Sequence, residues 1–238
     1  MQLYCGTSGY SYKEWKGPFY PKELPGKEML RYYSARLPAV EINNTFYRMP
    51  SAAILEAWSG QVPERFRFVL KAPRAITHAK PLRNKAAEIE YFYKAAAVLG
   101  ERLGAVLFQL PPYLHRDLSL LTDFVAGLPP VGRVVFEFRH PSWFDDSVYT
   151  LLRDRHAALC CSDTGDDALL RLERISDWGY LRLRRTEYPL PALRNWVARI
   201  EAPNWRTVYV FFKHEDAGTG PQLARQFIEL ASGPGGSG

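Results

Sequence analysis

The 238-residue chain is 47% hydrophobic and 14% aromatic, with a formal net charge of +6 and an isoelectric point near 9.2. That apolar fraction is enough for a sizeable core, while no apolar stretch approaches the roughly 18 residues of a membrane span. The charge favours anionic partners such as phosphorylated metabolites, nucleic acid or acidic sugars. An ordinary solvated surface explains it equally well, and no long run of Lys and Arg marks a nucleic-acid tail.

The first strand is predicted at Leu3–Gly6, and the chain enters it at once through Gln2, so no signal peptide is visible. A long loop crowded with Tyr10, Tyr12, Trp15, Phe19 and Tyr20 follows, then a helix at Lys27–Arg36. Strand and helix patterns then alternate: strand Ala39–Asn43, helix Ala52–Ser59, strand Phe66–Lys71, helix Ala86–Leu99. Gly100 suits a C-cap for that last helix, and Glu90 with Lys94 forms an i,i+4 pair on it. Next come strand Ala105–Leu110, helix Leu118–Ala126, strand Val134–Phe138, helix Ser147–Arg155 and strand Ala157–Ser162. Gly165–Trp178 is the weak unit, with at most a short helical turn. Strand Tyr180–Arg184, helix Pro191–Ile200, strand Val208–Phe212 and helix Pro221–Leu230 complete the series, Pro221 suiting a first-turn position. The Gly/Ser-rich tail from Ser232 to Gly238 is expected to be disordered.

Eight strands in strict β-α alternation, with no linker, predict one domain over residues 1–231. The length suits a closed (β/α)8 TIM-type barrel with a long aromatic-rich first βα loop. An open doubly wound sheet would carry a Gly-rich phosphate turn after the first strand. Here that turn reads Gly6-Thr7-Ser8-Gly9-Tyr10, without the required spacing. The three cysteines, Cys5, Cys160 and Cys161, are odd in number, partly adjacent and set in apolar runs. They fit buried thiols in a reducing cytoplasm, not disulfides, and no Cys/His spacing suggests zinc.

Within Val134 to Trp143 an apolar strand is interrupted by Glu137, Arg139 and His140 and stopped by Pro141. A carboxylate in such a run is costly unless paired or placed at a rim. In a parallel barrel, inward and outward residues alternate and catalytic groups sit at the strands' C-terminal ends. Glu41 and Asn43, Lys71, Gln109, Glu137 and Arg139, Asp163, Arg182 and Arg184, then Lys213 and His214, all fall at that end. A ligand site explains the one-sided clustering. For any single residue a buried ion pair, such as Glu137 with Arg182 or Glu41 with Lys71, is an equal account.

These residues also carry a resemblance. The chain resembles the YecE-like family, known as domain of unknown function 72, over nearly its whole length. The matching stretches begin with Gly6-Thr7-Ser8-Gly9-Tyr10, Trp15 and Phe19-Tyr20-Pro21, then Val40-Glu41-Ile42-Asn43 and Thr45-Phe46-Tyr47, then Lys71 and His78. They continue with Gln109-Leu110-Pro111-Pro112, Glu137-Phe138-Arg139-His140-Pro141-Ser142-Trp143, Asp163 and Tyr180-Leu181-Arg182-Leu183. The resemblance implies a TIM-type barrel and no established activity. Two segments depart from it. Lys213-His214-Glu215-Asp216 stands where many relatives look Asn-rich, and Arg184-Arg185 where relatives often have His-Gly.

For chemistry, Glu41 and Glu137 would face each other across the mouth as an acid and base, or nucleophile, pair for glycoside cleavage. Lys71, Arg139 and Arg182 would keep them ionised, leaving His78 or His140 as proton donor. Glu137, Asp163 and Glu41 could hold Mg²⁺ or Mn²⁺ through oxygens, but no two histidines join them and the cations compete. No metal or cofactor is therefore assigned. Lys71 would be a Schiff-base nucleophile if desolvated, yet two nearby glutamates predict a salt-bridged lysine. Gly6 to Gly9 is no nucleophile elbow, since Tyr10 stands where Gly is needed, though its backbone N–H groups could hold a phosphate.

The expectation is a cytoplasmic barrel enzyme performing acid–base or hydrolytic chemistry on an anionic, sugar-containing or phosphorylated small molecule. Its catalytic candidates are Glu41, Glu137, Asp163, Lys71, His78 and His140. Its substrate-binding candidates are Asn43, Gln109, Arg139, Arg182, Tyr10, Trp15, Tyr47 and Trp143, the aromatics for stacking on sugars or bases. A loop-packing role claims about half of those aromatics. The alternatives are a nucleic-acid binding or processing protein, and a metabolite-binding protein without turnover.

Overall fold

The computed structural model describes residues 1–233. Its strands are β1 (Gln2–Ser8), β2 (Ala39–Ile42), β3 (Arg67–Lys71), β4 (Leu103–Gln109), β5 (Arg133–Glu137), β6 (Ala158–Asp163), β7 (Trp178–Leu183) and β8 (Thr207–Phe212). Each pairs in parallel with its neighbours in sequence, and β1 pairs with β8, so the sheet closes into a barrel in the expected order. The helices are α1 (Met29–Ser34), α2 (Asn44–Tyr47), α3 (Ala52–Ser59), α4 (Arg74–Thr77), α5 (Ala86–Ala96), α6 (Leu118–Ala126), α7 (Asp146–Asp154), α8 (Leu190–Glu201) and α9 (Thr219–Ser232). Among the described residues, no helix is long and apolar enough to cross a membrane.

Local chemistry explains the boundaries. The Asp117 carboxylate accepts from the Leu120 N–H and caps α6; Asp145 caps α7 in the same way through Ser147 N–H. The helix expected to run to Leu99 stops at Ala96 and continues as a tighter 3₁₀ stretch, Ala97–Arg102, broken at Gly100 with φ of 51°. The expected weak unit carries no helix: residues 164–177 form bends and turns whose Ile175 is buried. Serine 232 belongs to α9, so the tail prediction begins too early, and residues 234–238 lie outside those described. Two one-turn helices, α2 and α4, were too short for periodicity to reveal.

The barrel has two apolar cores. One lies between strands and helices. The other fills the barrel, where Trp178, Tyr180, Tyr209 and Phe211 of β7 and β8 face the small Ala39, Ala105 and Ala158. Large and small side chains thus complement one another across the interior. The floor is closed by cations on aromatic rings, Arg67 over Tyr4 and Arg133 over Trp178. The polar groups are thereby confined to the other end.

The aromatic first loop packs over this barrel. Trp15 is fully buried against Tyr12, Phe19 and Tyr20, and the Tyr20 hydroxyl donates to the Tyr10 carbonyl. Beneath it, the Tyr33 hydroxyl donates to the Ala39 carbonyl and accepts from the Thr7 N–H, pinning β1 to β2. Gly6 permits that approach, because a Cβ there would overlap the Ala39 carbonyl oxygen and crowd the Tyr33 hydroxyl. Gly6→Ala should therefore cost at least about 2 kcal/mol by forcing the seam apart. Chemical denaturation checks this against Gly100→Ala, which meets no neighbour but is strained by its positive φ.

Candidate functional site

Strand alternation carries Ser8, Glu41, Lys71, Gln109, Glu137 and Arg182 to the top of the interior, above the apolar filling. Arg182 is at the centre. Its Nη1 donates to Glu137 Oε2 at 2.6 Å and its Nη2 to Glu41 Oε1 at 2.8 Å, so one guanidinium bridges carboxylates from β2 and β5. Glu41 also accepts from Ser8 Oγ (2.7 Å), Tyr180 Oη (2.6 Å) and Asn43 Nδ2 (3.3 Å). Glu137 Oε1 accepts from both Nε (2.8 Å) and Nη2 (2.7 Å) of Arg139. Both carboxylates are 0% exposed. Burial, the largest single effect, raises their pKa values, but Arg182 acting together with the Tyr180 and Ser8 hydrogen bonds to Glu41, and with Arg139 and Arg184 beside Glu137, holds both below the ordinary glutamate value.

Above this triad opens a cavity of about 590 Å³. Lys71, Arg74, Arg139, Arg182, Arg184 and Lys213 line it, with His78, Asn43, Gln109, Phe46, Tyr47 and Tyr12; Glu215 is the single acidic residue in its wall. The two buried glutamates are bonded to Arg182 and Arg139, and Arg184 Nη1 stands 3.9 Å from Glu137 Oε1, beyond hydrogen-bond distance. Several cationic groups are consequently undersatisfied: Arg182 Nε and Arg184 Nε and Nη1 are buried without a hydrogen-bond partner. Burial, then the nearby Arg182 charge, lowers the Arg184 pKa.

Lys71 differs from expectation. It makes no salt bridge among the described residues. Its Nζ donates to Gln109 Oε1 at 2.9 Å and stands 3.9 Å from the centre of the Phe46 ring. The reason is geometric: Arg182, from the opposite wall, reaches both glutamates first. Burial, then repulsion from Arg182, pushes the Lys71 pKa down to about 8. His78 is likewise corrected as a proton donor. Burial, with Lys71 and Arg74 nearby, lowers it to about 4, so it is neutral at pH 7. Its Nδ1 meets Thr77 Oγ1 at 2.8 Å.

Other expected residues stand elsewhere. Asp163 does not join Glu137. Ala158 and Cys160 face the barrel interior, so Ser162 shares their side and Asp163 takes the other. There it accepts from Arg185 Nε at 2.6 Å and Tyr188 Oη at 3.0 Å, tying the end of β6 to the β7–α8 loop. This removes it from the imagined Mg²⁺ or Mn²⁺ triad, whose remaining centre is taken by the Arg182 guanidinium. His140 Nδ1 accepts from the Ser142 N–H and its ring stacks on His115, an end-capping role. Trp143 is buried, stacked on Phe138, with Nε1 donating to the Leu114 carbonyl. Trp15 and Tyr10 belong to the loop packing, Tyr10 lining only a small neighbouring cavity of about 70 Å³. Sequence reading overlooked Ser8 and Tyr180 as glutamate donors, and Arg74 and Glu215 in the cavity wall. The inward parity of Tyr180 with Arg182 would have found one of them.

The family model described as a protein of unknown function, DUF72, matches residues 4–235. The UPF0759 protein YecE of Escherichia coli (strain K12) is 29% identical over 157 residues, 65% of this chain and 55% of that protein. YunF of Bacillus subtilis (strain 168) is 27% identical over 155 residues, 62% of this chain and 54% of its own length. The matched stretch thus spans about half of these relatives. A DUF72 family crystal structure from Thermotoga maritima MSB8 superposes with a TM-score of 0.84 at 25% identity, covering 97% of this chain and 99% of that one. One from Enterococcus faecalis V583 gives 0.78 at 17% identity, covering 97% and 96%, a likeness of fold.

The bridging guanidinium makes a pH-dependent prediction. Both glutamates have folded pKa values below the ordinary 4.5, so their contribution to stability is present above about pH 4.5 and lost as pH falls through the folded values. Arg182→Gln leaves Glu41 buried without a cationic partner and Glu137 with Arg139 alone at hydrogen-bond distance, and should cost about 3–5 kcal/mol at pH 7. Without the arginine, burial raises the carboxylate pKa values, so the deficit should shrink at pH 5. Urea unfolding at both pH values checks this. A deficit that is absent at pH 7, or equal at both, contradicts the assignment.

Proposed function

The chain belongs to the DUF72 family, and we propose that its barrel mouth binds an anionic, sugar-containing or phosphorylated small molecule and performs acid–base chemistry on it. The observation that carries this reading is the charge of the cavity wall: six cationic side chains against Glu215. A cavity of about 590 Å³ is in the range of small-molecule sites. Arg139 and Arg184 line the cavity with side chains 27% and 19% exposed, and can give an oxyanion charge-assisted hydrogen bonds. Asn43 and Gln109 are placed for hydroxyls, and the exposed Tyr47 and the Phe46 ring for an apolar sugar face.

In this reading Glu41 and Glu137 act as positioning residues. Their buried, donor-saturated oxygens hold Arg182 and Arg139 rigid and do not attack substrate. Lys71, with a pKa of about 8, is the group whose proton is exchangeable near neutrality. Arg184 and Lys213 come from the two segments that depart from the family pattern, so ligand selectivity would vary there. The reading places the protein in the cytoplasm, where its buried, unpaired Cys5, Cys160 and Cys161 stay reduced.

A second reading, single-stranded nucleic acid with one phosphate in the mouth, is favoured by Tyr47 and Tyr113 exposed near the rim. Stacking there would add affinity to a strongly salt-dependent contact.

Calorimetric titration with inorganic phosphate and with a hexose phosphate tests the proposal. Both should bind, the sugar phosphate more tightly, and Arg184→Gln should weaken both by roughly tenfold. Preferential binding of a single-stranded oligonucleotide would move the reading to nucleic acid. No binding of any of the three at low salt would end it.

A further inference from the structure

Lys71 is over-equipped for a role as one more positive charge. Arg74, Arg139, Arg182, Arg184 and Lys213 already surround the same cavity. What distinguishes Lys71 is its setting. It ends a rigid strand, is 8% exposed and opens into the cavity. Its neighbours are an amide oxygen and an aromatic face, neither of which carries the negative charge that would fix a proton on the nitrogen. Both carboxylates that could have done so are bonded to Arg182. A lysine desolvated among other cations has an amine lone pair available near neutral pH.

We propose that Lys71 is a nucleophilic amine that condenses with the aldehyde or ketone carbonyl of a phosphorylated small molecule held in the mouth, forming a Schiff base. This rests on the anion-binding reading and adds to it the reactive group of the ligand. The neutral Nζ attacks the carbonyl carbon, forming a C–N bond while the carbonyl oxygen becomes a hydroxyl. The C–O bond then breaks and a C=N bond forms. Both hydrogens of the amine leave with that oxygen as water, and no oxidant or reductant is consumed. The arginines hold the phosphate, which orients the carbonyl towards Nζ.

The test is reductive trapping on the full chain. Glycolaldehyde phosphate is added with sodium cyanoborohydride, and modified peptides are mapped by mass spectrometry. The reduced adduct should form on Lys71 at least roughly tenfold faster than on any other lysine. Its rate should rise with pH through about 8, and millimolar inorganic phosphate should suppress it. Uncharged glycolaldehyde should label Lys71 more slowly, and Lys71→Met should lose the adduct while keeping its circular dichroism and unfolding midpoint. Calorimetry with inorganic phosphate is run on the same sample. If phosphate binds and is displaced by glycolaldehyde phosphate, yet the adducts are spread over surface lysines, the amine role is overturned and the anion site stands. If neither phosphate binding nor Lys71 labelling is seen, both fall.

Discussion

Arg182 is suspended between two buried glutamates, and the upper half of the barrel is arranged around that bridge. Removing three charges from water costs several kcal/mol per ion before any attraction is counted. The structure offsets this by leaving few glutamate oxygens short of donors: Ser8, Tyr180 and Asn43 complete Glu41, and Arg139 completes Glu137. These groups come from β1, β2, β5 and β7 and their ends. The bridge therefore ties opposite walls together, and it specifies geometry more than it adds stability.

Its consequence for chemistry is an inversion of what two glutamates in a barrel mouth suggest. Being saturated and fully buried, they are unavailable as nucleophile, metal ligands or neutral acid. The charge they would otherwise have spread over the wall is concentrated below it. Arg184 and Lys71 are left facing the cavity without carboxylate partners at hydrogen-bond distance. The mouth thus presents cations opposed in its wall by Glu215 alone, and a lysine whose pKa is lowered by burial and by repulsion from Arg182. One allocation of partners underlies both proposals, the anion site and the nucleophilic amine.

Much of this architecture was legible in the chain. Eight alternating apolar runs were enough for the barrel, and period-two alternation at the strand ends was enough to turn Glu41, Lys71, Gln109, Glu137 and Arg182 inward. The same rule, applied to Cys160 and Ser162, would have turned Asp163 outward; reading only its position at a strand end misplaced it. The pairing of charges was not legible. Glu41 had Lys71 on the adjacent strand and Arg182 across the barrel, and only the reach of each side chain in three dimensions decides between them. The cavity rim was hidden for a different reason. Arg74 sits on a one-turn helix, which has no periodicity, and Trp15 and Trp143 look alike in sequence whether they stack on a ligand or on their own loop.

The most direct measurement of the central claim is a crystal structure of the protein soaked in tungstate, read by anomalous scattering. The account predicts a peak in the mouth within hydrogen-bond distance of Arg139 or Arg184, above an intact Glu41–Arg182–Glu137 bridge, with Lys71 facing the same cavity. Anomalous density confined to surface lysines, or an Arg182 side chain that leaves the glutamates to turn outward, would contradict it.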